Sequence, residues 1–145
     1  MSLSPLPRAI FTLHGQVTPG KQLGSRLGFP TANIAYDGHG DHRPADGVYV
    51  AVATVEDEPR AYVAVVNQGK HPTAPDGPPT VEAHLIGYPA QPLYGRRLTL
   101  AYMAFIRPEQ RFEHLEALRQ QLQKDCETAM QWAHLHAPTL ADHPS

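Results

Sequence analysis

The stretch "VYVAVATVEDEPRAYVAVVN" (Val48–Asn67) decides the fold class. Its two arms, Val48–Val55 and Arg60–Asn67, are β-branched and apolar, and the charged turn Glu56–Pro59 separates them. Apolar runs of this length bounded by turn residues read as buried strands, and a short polar link makes them hairpin partners. Working outward, Ala9–Val17, a short Ala32–Tyr36, Thr80–Tyr88 and Arg96–Ile106 read as further strands. No helical pattern lies between any two of them, which excludes parallel βαβ units. The period changes after Arg107-Pro108-Glu109. Phe112, Leu115, Leu118, Leu122, Cys126, Ala129, Met130 and Ala133 then recur at spacings of three and four, one stripe of an amphipathic helix. Pro108 and Glu109 suit its first turn or the approach to it. The expected architecture is all-β: a six-stranded antiparallel Greek-key barrel, with the C-terminal helix covering one opening.

The totals agree with a single domain over 1–145, its core at about 9–133 between loose tails. The chain has 145 residues and a formal charge of −2, with 15 prolines and 11 glycines marking many turns. That charge indicates no broad pull toward nucleic acid or anionic lipid. No apolar run approaches the ~20 residues needed to span a bilayer. The start "MSLSPLPRAIF" does not fit a signal peptide. A lone cysteine, Cys126, excludes an internal disulfide and a cysteine zinc cluster, and fits a reducing cytoplasm.

Candidate chemistry begins at the loop Gly20–Gly28. Gly20, Gly24 and Gly28 let backbone N–H groups approach phosphate oxygens, and Lys21 and Arg26 add positive charge. The spacing is neither Walker A nor Rossmann, and a plain turn is the alternative. Thr31 and Asn33, two residues apart on a strand, face the same way. Both offer neutral oxygens that suit Mg²⁺ already carrying phosphates; a Thr/Asn turn locked by Pro30 competes with that reading. Glu82 lies inside "TVEAHLIGY", where alternation puts Thr80, Glu82 and His84 on one face. A mid-strand carboxylate is a candidate general base, or an outward, solvated Glu. Glu82 with His84 is also half of a metal site lacking a third ligand. His39 and His42 lie in a turn, and His134 and His136 near the helix end. Arg107 and Glu109 form a charge pair at the strand-to-helix junction. Phe112 reads as the first core residue of the helix stripe, and Cys126 as a small buried hydrophobe.

These hints fall in the order of a known family. "GQVTPGKQLGSRLGFPTANI", "DGVYVAV", "VVNQGKHPT", "TVEAHLIGYPAQPLYG" and "FIRPEQRFEHLEALRQQLQKDCETA" resemble, in turn, successive segments of the flavokinase (riboflavin kinase) family. These are its glycine loop with Pro-Thr-Ala-Asn, its Gly-Val-Tyr strand, its flap, its catalytic-Glu segment, and its Arg-x-Glu-x-x-Phe junction with closing helix. The resemblance runs from about Leu13 to Ala133. It implies a six-stranded barrel, and transfer of the ATP γ-phosphate to the ribityl 5′-hydroxyl of riboflavin, giving FMN and ADP.

By the same resemblance, Glu82 accepts the ribityl proton. Thr31 and Asn33 hold the metal, Mg²⁺ with Zn²⁺ or Mn²⁺ as alternatives. Gly20, Lys21, Gly24, Arg26 and Gly28 cover the phosphates, and Tyr94 lies near the nucleotide. Arg107, Glu109 and Phe112 lie on the flavin side. The implied partners are small molecules alone, with no nucleic acid and no membrane, and the implied state is a monomer in the cytoplasm. A second reading is a kinase-derived flavin- or nucleotide-binding module without turnover. The chain departs from the family pattern at Ser25, where a basic residue is usual, at Gln68, where the flap is usually apolar, and at Gly87–Tyr88. It also leaves no room for the adenylyltransferase domain that many bacterial members carry.

Overall fold

The structure, a computed structural model, describes residues 7–18, 28–35, 43–70, 79–89 and 93–141. Its strands are β1 (Phe11–Thr18), β2 (Ala32–Ile34), β3 (Gly47–Val55), β4 (Ala61–Gly69), β5 (Thr80–Leu85) and β6 (Arg97–Arg107). Helix α1 (Leu115–His136) and a single turn, α2 (Pro138–Ala141), follow. The strands close into a barrel in the order β1-β2-β5-β4-β3-β6, every pairing antiparallel. Each strand thus pairs with a neighbour on both sides.

Period-2 alternation fills the interior. Leu13, Ile34, Val66, Val81, Leu100 and Tyr102 point inward and are all but fully buried. In β3 the outward residues are apolar as well: Val48 and Val50, with Val63 and Val65 of β4, form a second cluster against Ala129 and Ala133 of α1. Burying each valine is worth roughly 1.5–3 kcal/mol, so the β3–β4 wall needs a cover, and α1 supplies it. The helix therefore lies along the outer wall of the barrel, whereas the sequence reading expected it over an opening. The two-faced apolar run is the physical reason.

The helix also starts later than the stripe suggests. Arg107 precedes a proline and stays extended. The segment 108–114 then crosses to the helix, where His114 caps by accepting the Ala117 N–H at 3.2 Å through Nδ1. Phe112 falls outside the helix as a result. Strand β5 ends at Leu85, short of Tyr88, because Gly87 turns the chain at φ +83°. Tyr88 then folds back onto Tyr62, with ring centroids 5.1 Å apart, and donates to Glu58 at 2.8 Å.

Gln68 has a clear physical account. It is fully buried, accepts from the Tyr102 hydroxyl at 3.0 Å and donates to the Pro44 carbonyl at 3.0 Å. A polar side chain inside a barrel is stable when satisfied in this way, and here it ties the interior to the segment entering β3.

Candidate active site

The strand registers build the site. Thr18 pairs with Asn33, Asn33 with Glu82, Glu82 with Asn67, Asn67 with Val48, and Val48 with Arg107. Paired residues share a face and neighbouring strands lie ~4.8 Å apart. One row of side chains thus crosses all six strands on the outer surface. Thr31 and Asn33 project outward because Ala32 and Ile34 between and beside them are buried. Glu82 and His84 project outward on the same alternation.

At the β1–β2 end of the row, Asn33 Nδ2 donates to Thr18 Oγ1 at 3.0 Å. That bond orients the amide and leaves Oδ1 as its acceptor. The carbonyl before Thr31 is also held: His84 donates through Nδ1 to Pro30 O at 2.7 Å, and Phe29 packs edge-on to the imidazole at 5.7 Å. Burial holds His84 below its ordinary 6.5, and the bond to Pro30 opposes that shift. Neutral oxygens at Thr31 and Asn33 match the donors a hard cation takes, so the residues present fit a Mg²⁺. Among the described residues no group of three or more His, Cys, Asp or Glu is placed to hold a metal, so Glu82 and His84 gain no third partner.

At the other end, Arg107 does not pair with Glu109. Its guanidinium grips Asp125 of α1 through Nε at 3.0 Å and Nη2 at 2.8 Å. Asp125 also accepts from Gln121 at 3.0 Å. Glu109 instead packs over Gly69, where any Cβ would collide with its carboxylate. Burial and then Asp46 push Glu109 above the usual carboxylate range, against the Lys70 backbone N–H and the charges of Arg107 and Lys70. The Arg107 guanidinium lies over the Phe112 ring, its carbon 5.8 Å from the ring centre.

Two adjoining hollows follow from this arrangement. A cavity of about 130 Å³ is lined by Thr31, Asn67, Glu82, His84, Arg107 and Asp125, among others. A cleft of about 430 Å³ is lined by Arg107, Glu109, Phe112, Leu115, Leu118 and Leu122, among others. Arg107, Asn67, Leu118 and Leu122 belong to both. Cys126 lines the smaller cavity, and burial, then Asp125 and Glu127, push its thiol up to about 11, which keeps it protonated and inert.

The structure thus brings Thr31, Asn33, Glu82, Arg107, Glu109 and Phe112 to one continuous surface. Tyr94 stands apart, exposed in the turn before β6. There Gly95 N–H donates to Val17 O at 3.0 Å, which places Tyr94 beside the Asn33 end of the row. Gly28 is described, with φ +89°; Gly20, Lys21, Gly24 and Arg26 lie outside the described residues, as do His39 and His42. Sequence reasoning missed Asn67, Thr18 and Asp125. Asn67 was legible as a polar residue ending an apolar strand. Asp125 was legible as a carboxylate three residues after Leu122 and four before Ala129, on the buried stripe.

A small closed antiparallel barrel with an outer-wall helix, and a polar row leading to a cleft lined by Phe112, Leu118 and Leu122, defines the structural class. Within that class, the sequence model of the Flavokinase family, described as riboflavin kinase, matches residues 7–133, and the chain belongs to that family. It is 38% identical over 112 residues to the RNA-binding riboflavin kinase RibR of Bacillus subtilis, covering 77% of this chain and 46% of that protein. It is 35% identical over 123 residues to the riboflavin kinase of Mus musculus, covering 82% of this chain and 78% of that one. The crystal structure of riboflavin kinase from Trypanosoma brucei superposes with a TM-score of 0.61 at 23% identity, covering 89% and 82% of the two chains, and bears on the fold. The chain spans under half the length of the Bacillus subtilis relative.

Proposed function

We propose that the protein is a riboflavin kinase, transferring the γ-phosphate of ATP to the ribityl 5′-hydroxyl of riboflavin. The observation that carries this reading is the row Asn33–Glu82–Asn67, three adjacent outward side chains that end at the cleft beside Phe112. Phosphoryl transfer asks for alignment and charge neutralisation more than covalent help. Glu82 takes the 5′-hydroxyl proton as that oxygen bonds to the γ-phosphorus and the bond to ADP breaks. Thr31 and Asn33 hold Mg²⁺, which supplies neutralisation of the phosphate charge when bound. Gly20, Lys21, Gly24, Arg26 and Gly28 cover the phosphates, and Tyr94 borders the nucleotide. Arg107, Glu109 and Phe112 face the flavin, whose large apolar ring suits a wall of Phe112, Leu118 and Leu122.

The enzyme acts as a monomer on small molecules in a reducing cytoplasm, a compartment that the lone cysteine fits. One relative is named RNA-binding, but the formal charge of −2 does not favour nucleic acid here. Incubation with riboflavin, ATP and Mg²⁺, followed by chromatographic separation of the flavins, tests the proposal. FMN is expected. Riboflavin retained on the protein without FMN would establish a binding module instead.

A further inference from the structure

Asp125 is the most buried carboxylate among the described residues, at 1% exposure, and none of the roles above uses it. A carboxylate withdrawn from water is tolerated only when paired. The helix face around it, Leu118, Leu122 and Ala129, has no need of a charge. What Asp125 holds is Arg107. A guanidinium has five N–H donors in a rigid planar fork. The Nε donor and one on Nη2 go to Asp125, and one on Nη1 goes to Pro108 O at 3.3 Å. Two donors remain, one on each terminal nitrogen, and Arg107 lines both the cleft and the Glu82 cavity. Gln121 braces Asp125 from the preceding turn, and the Arg107 guanidinium carbon sits over the Phe112 ring, 5.8 Å from its centre. The fork therefore has one orientation, set by Asp125.

We infer that Asp125 is a positioning residue that aims the two remaining Arg107 donors at the ribityl chain of riboflavin. This rests on the riboflavin kinase reading. The ring requires the larger, apolar cleft, and the 5′-hydroxyl must reach Glu82 in the smaller cavity. The polyol between them crosses the boundary that Arg107 forms, and each of its oxygens accepts a hydrogen bond. A chain tethered there arrives at Glu82 with its terminal hydroxyl in register. Asp125 touches no substrate and acts through Arg107 alone.

The test compares riboflavin with lumiflavin, the same ring system bearing a methyl group in place of the polyol. Both are titrated by flavin fluorescence against the purified chain, and KM is measured for riboflavin and for Mg·ATP. In Asp125→Asn, riboflavin affinity and KM weaken about tenfold, the loss expected from one mis-set charge-assisted hydrogen bond. Lumiflavin affinity and the Mg·ATP KM stay within about twofold. Because a half-broken buried pair threatens the fold, a second variant joins Arg107→Met with Asp125→Leu, an apolar replacement of the kind that preserves stability. It too loses its preference for riboflavin over lumiflavin. A parent that forms no FMN overturns the kinase reading and this inference with it. A parent that forms FMN, while the variants keep the parental riboflavin-to-lumiflavin ratio, overturns the positioning role alone. Equal weakening of both flavins overturns it as well, because that is the signature of a merely structural pair.

Discussion

At the scale of single residues, Glu82 carries the sharpest expectation. Its neighbours Asn33 and Asn67 are neutral, so it is the carboxylate of the row itself. General-base help is worth ~10²–10⁴-fold. Glu82→Gln keeps shape and removes basicity, so turnover falls on the order of 10²-fold or more while riboflavin affinity stays within about a few-fold. Single-turnover quench measurements at saturating Mg·ATP read this directly, and a variant within about threefold of the parent rate removes Glu82 from the mechanism. His84 gives a pH expectation. Its folded pKa lies below its unfolded 6.5. As pH falls below 6.5 the unfolded chain takes up a proton that the native chain still refuses, so this residue's contribution is intact above 6.5 and erodes on acidification. Chemical denaturation of His84→Gln beside the parent, at pH 7 and pH 5.5, should show the parent losing more stability than the variant between the two. Equal losses would show that another group sets the slope. Part of this was legible in sequence: alternation placed Glu82 and His84 on one face of their strand, and Thr31 and Asn33 on one face of theirs. The bond from His84 to Pro30, and the grip of Asp125 on Arg107, join residues distant in the chain, and no local pattern encodes such partners.

At the scale of elements, strand existence was legible because period-2 alternation and turn residues are local signals. The seat of α1 was not, although its cause lay in plain view. A run such as "VYVAVATV" is apolar on both faces, and that reports a second cover without naming which element provides it. The helix divides its work along its length. Ala129 and Ala133 dock on the β3–β4 valines, whereas Leu118 and Leu122 wall the cleft. Ala133 lies eleven residues beyond Leu122, or roughly 16 Å at 1.5 Å per residue. Ala133 is fully buried, so Ala133→Leu overpacks the docking end and costs about 1–3 kcal/mol. The riboflavin KM should stay within about twofold of the parent, since the cleft wall is untouched. Urea denaturation and steady-state kinetics check the two halves of this claim. A KM that rises in step with the lost stability would mean that the helix shifts as one body.

At the scale of the whole molecule, closure determines how a ligand's effect spreads. The row from Thr18 to Arg107 touches every strand, and each strand of the closed barrel is paired on both sides. Substrate bound on the row therefore stabilises the barrel as a unit and not β5 alone. A ligand that binds only the native state stabilises by RT ln(1 + [L]/Kd), about 2.7 kcal/mol at a hundredfold excess over Kd. For a chain of this size that raises Tm by roughly 5–10 °C. Native-state hydrogen exchange adds the spatial reading. The slowest amides, which exchange only through global opening, should slow by about a hundredfold with riboflavin at a hundred times Kd. They should do so in β1 and β6 as much as in β5, because all of them share one opening event. The Glu82→Gln protein, still binding flavin, should show the same slowing, which separates binding from turnover. Protection confined to 80–85 and its strand neighbours would show that the barrel opens in parts, and that the six-strand row does not act as a single structural unit.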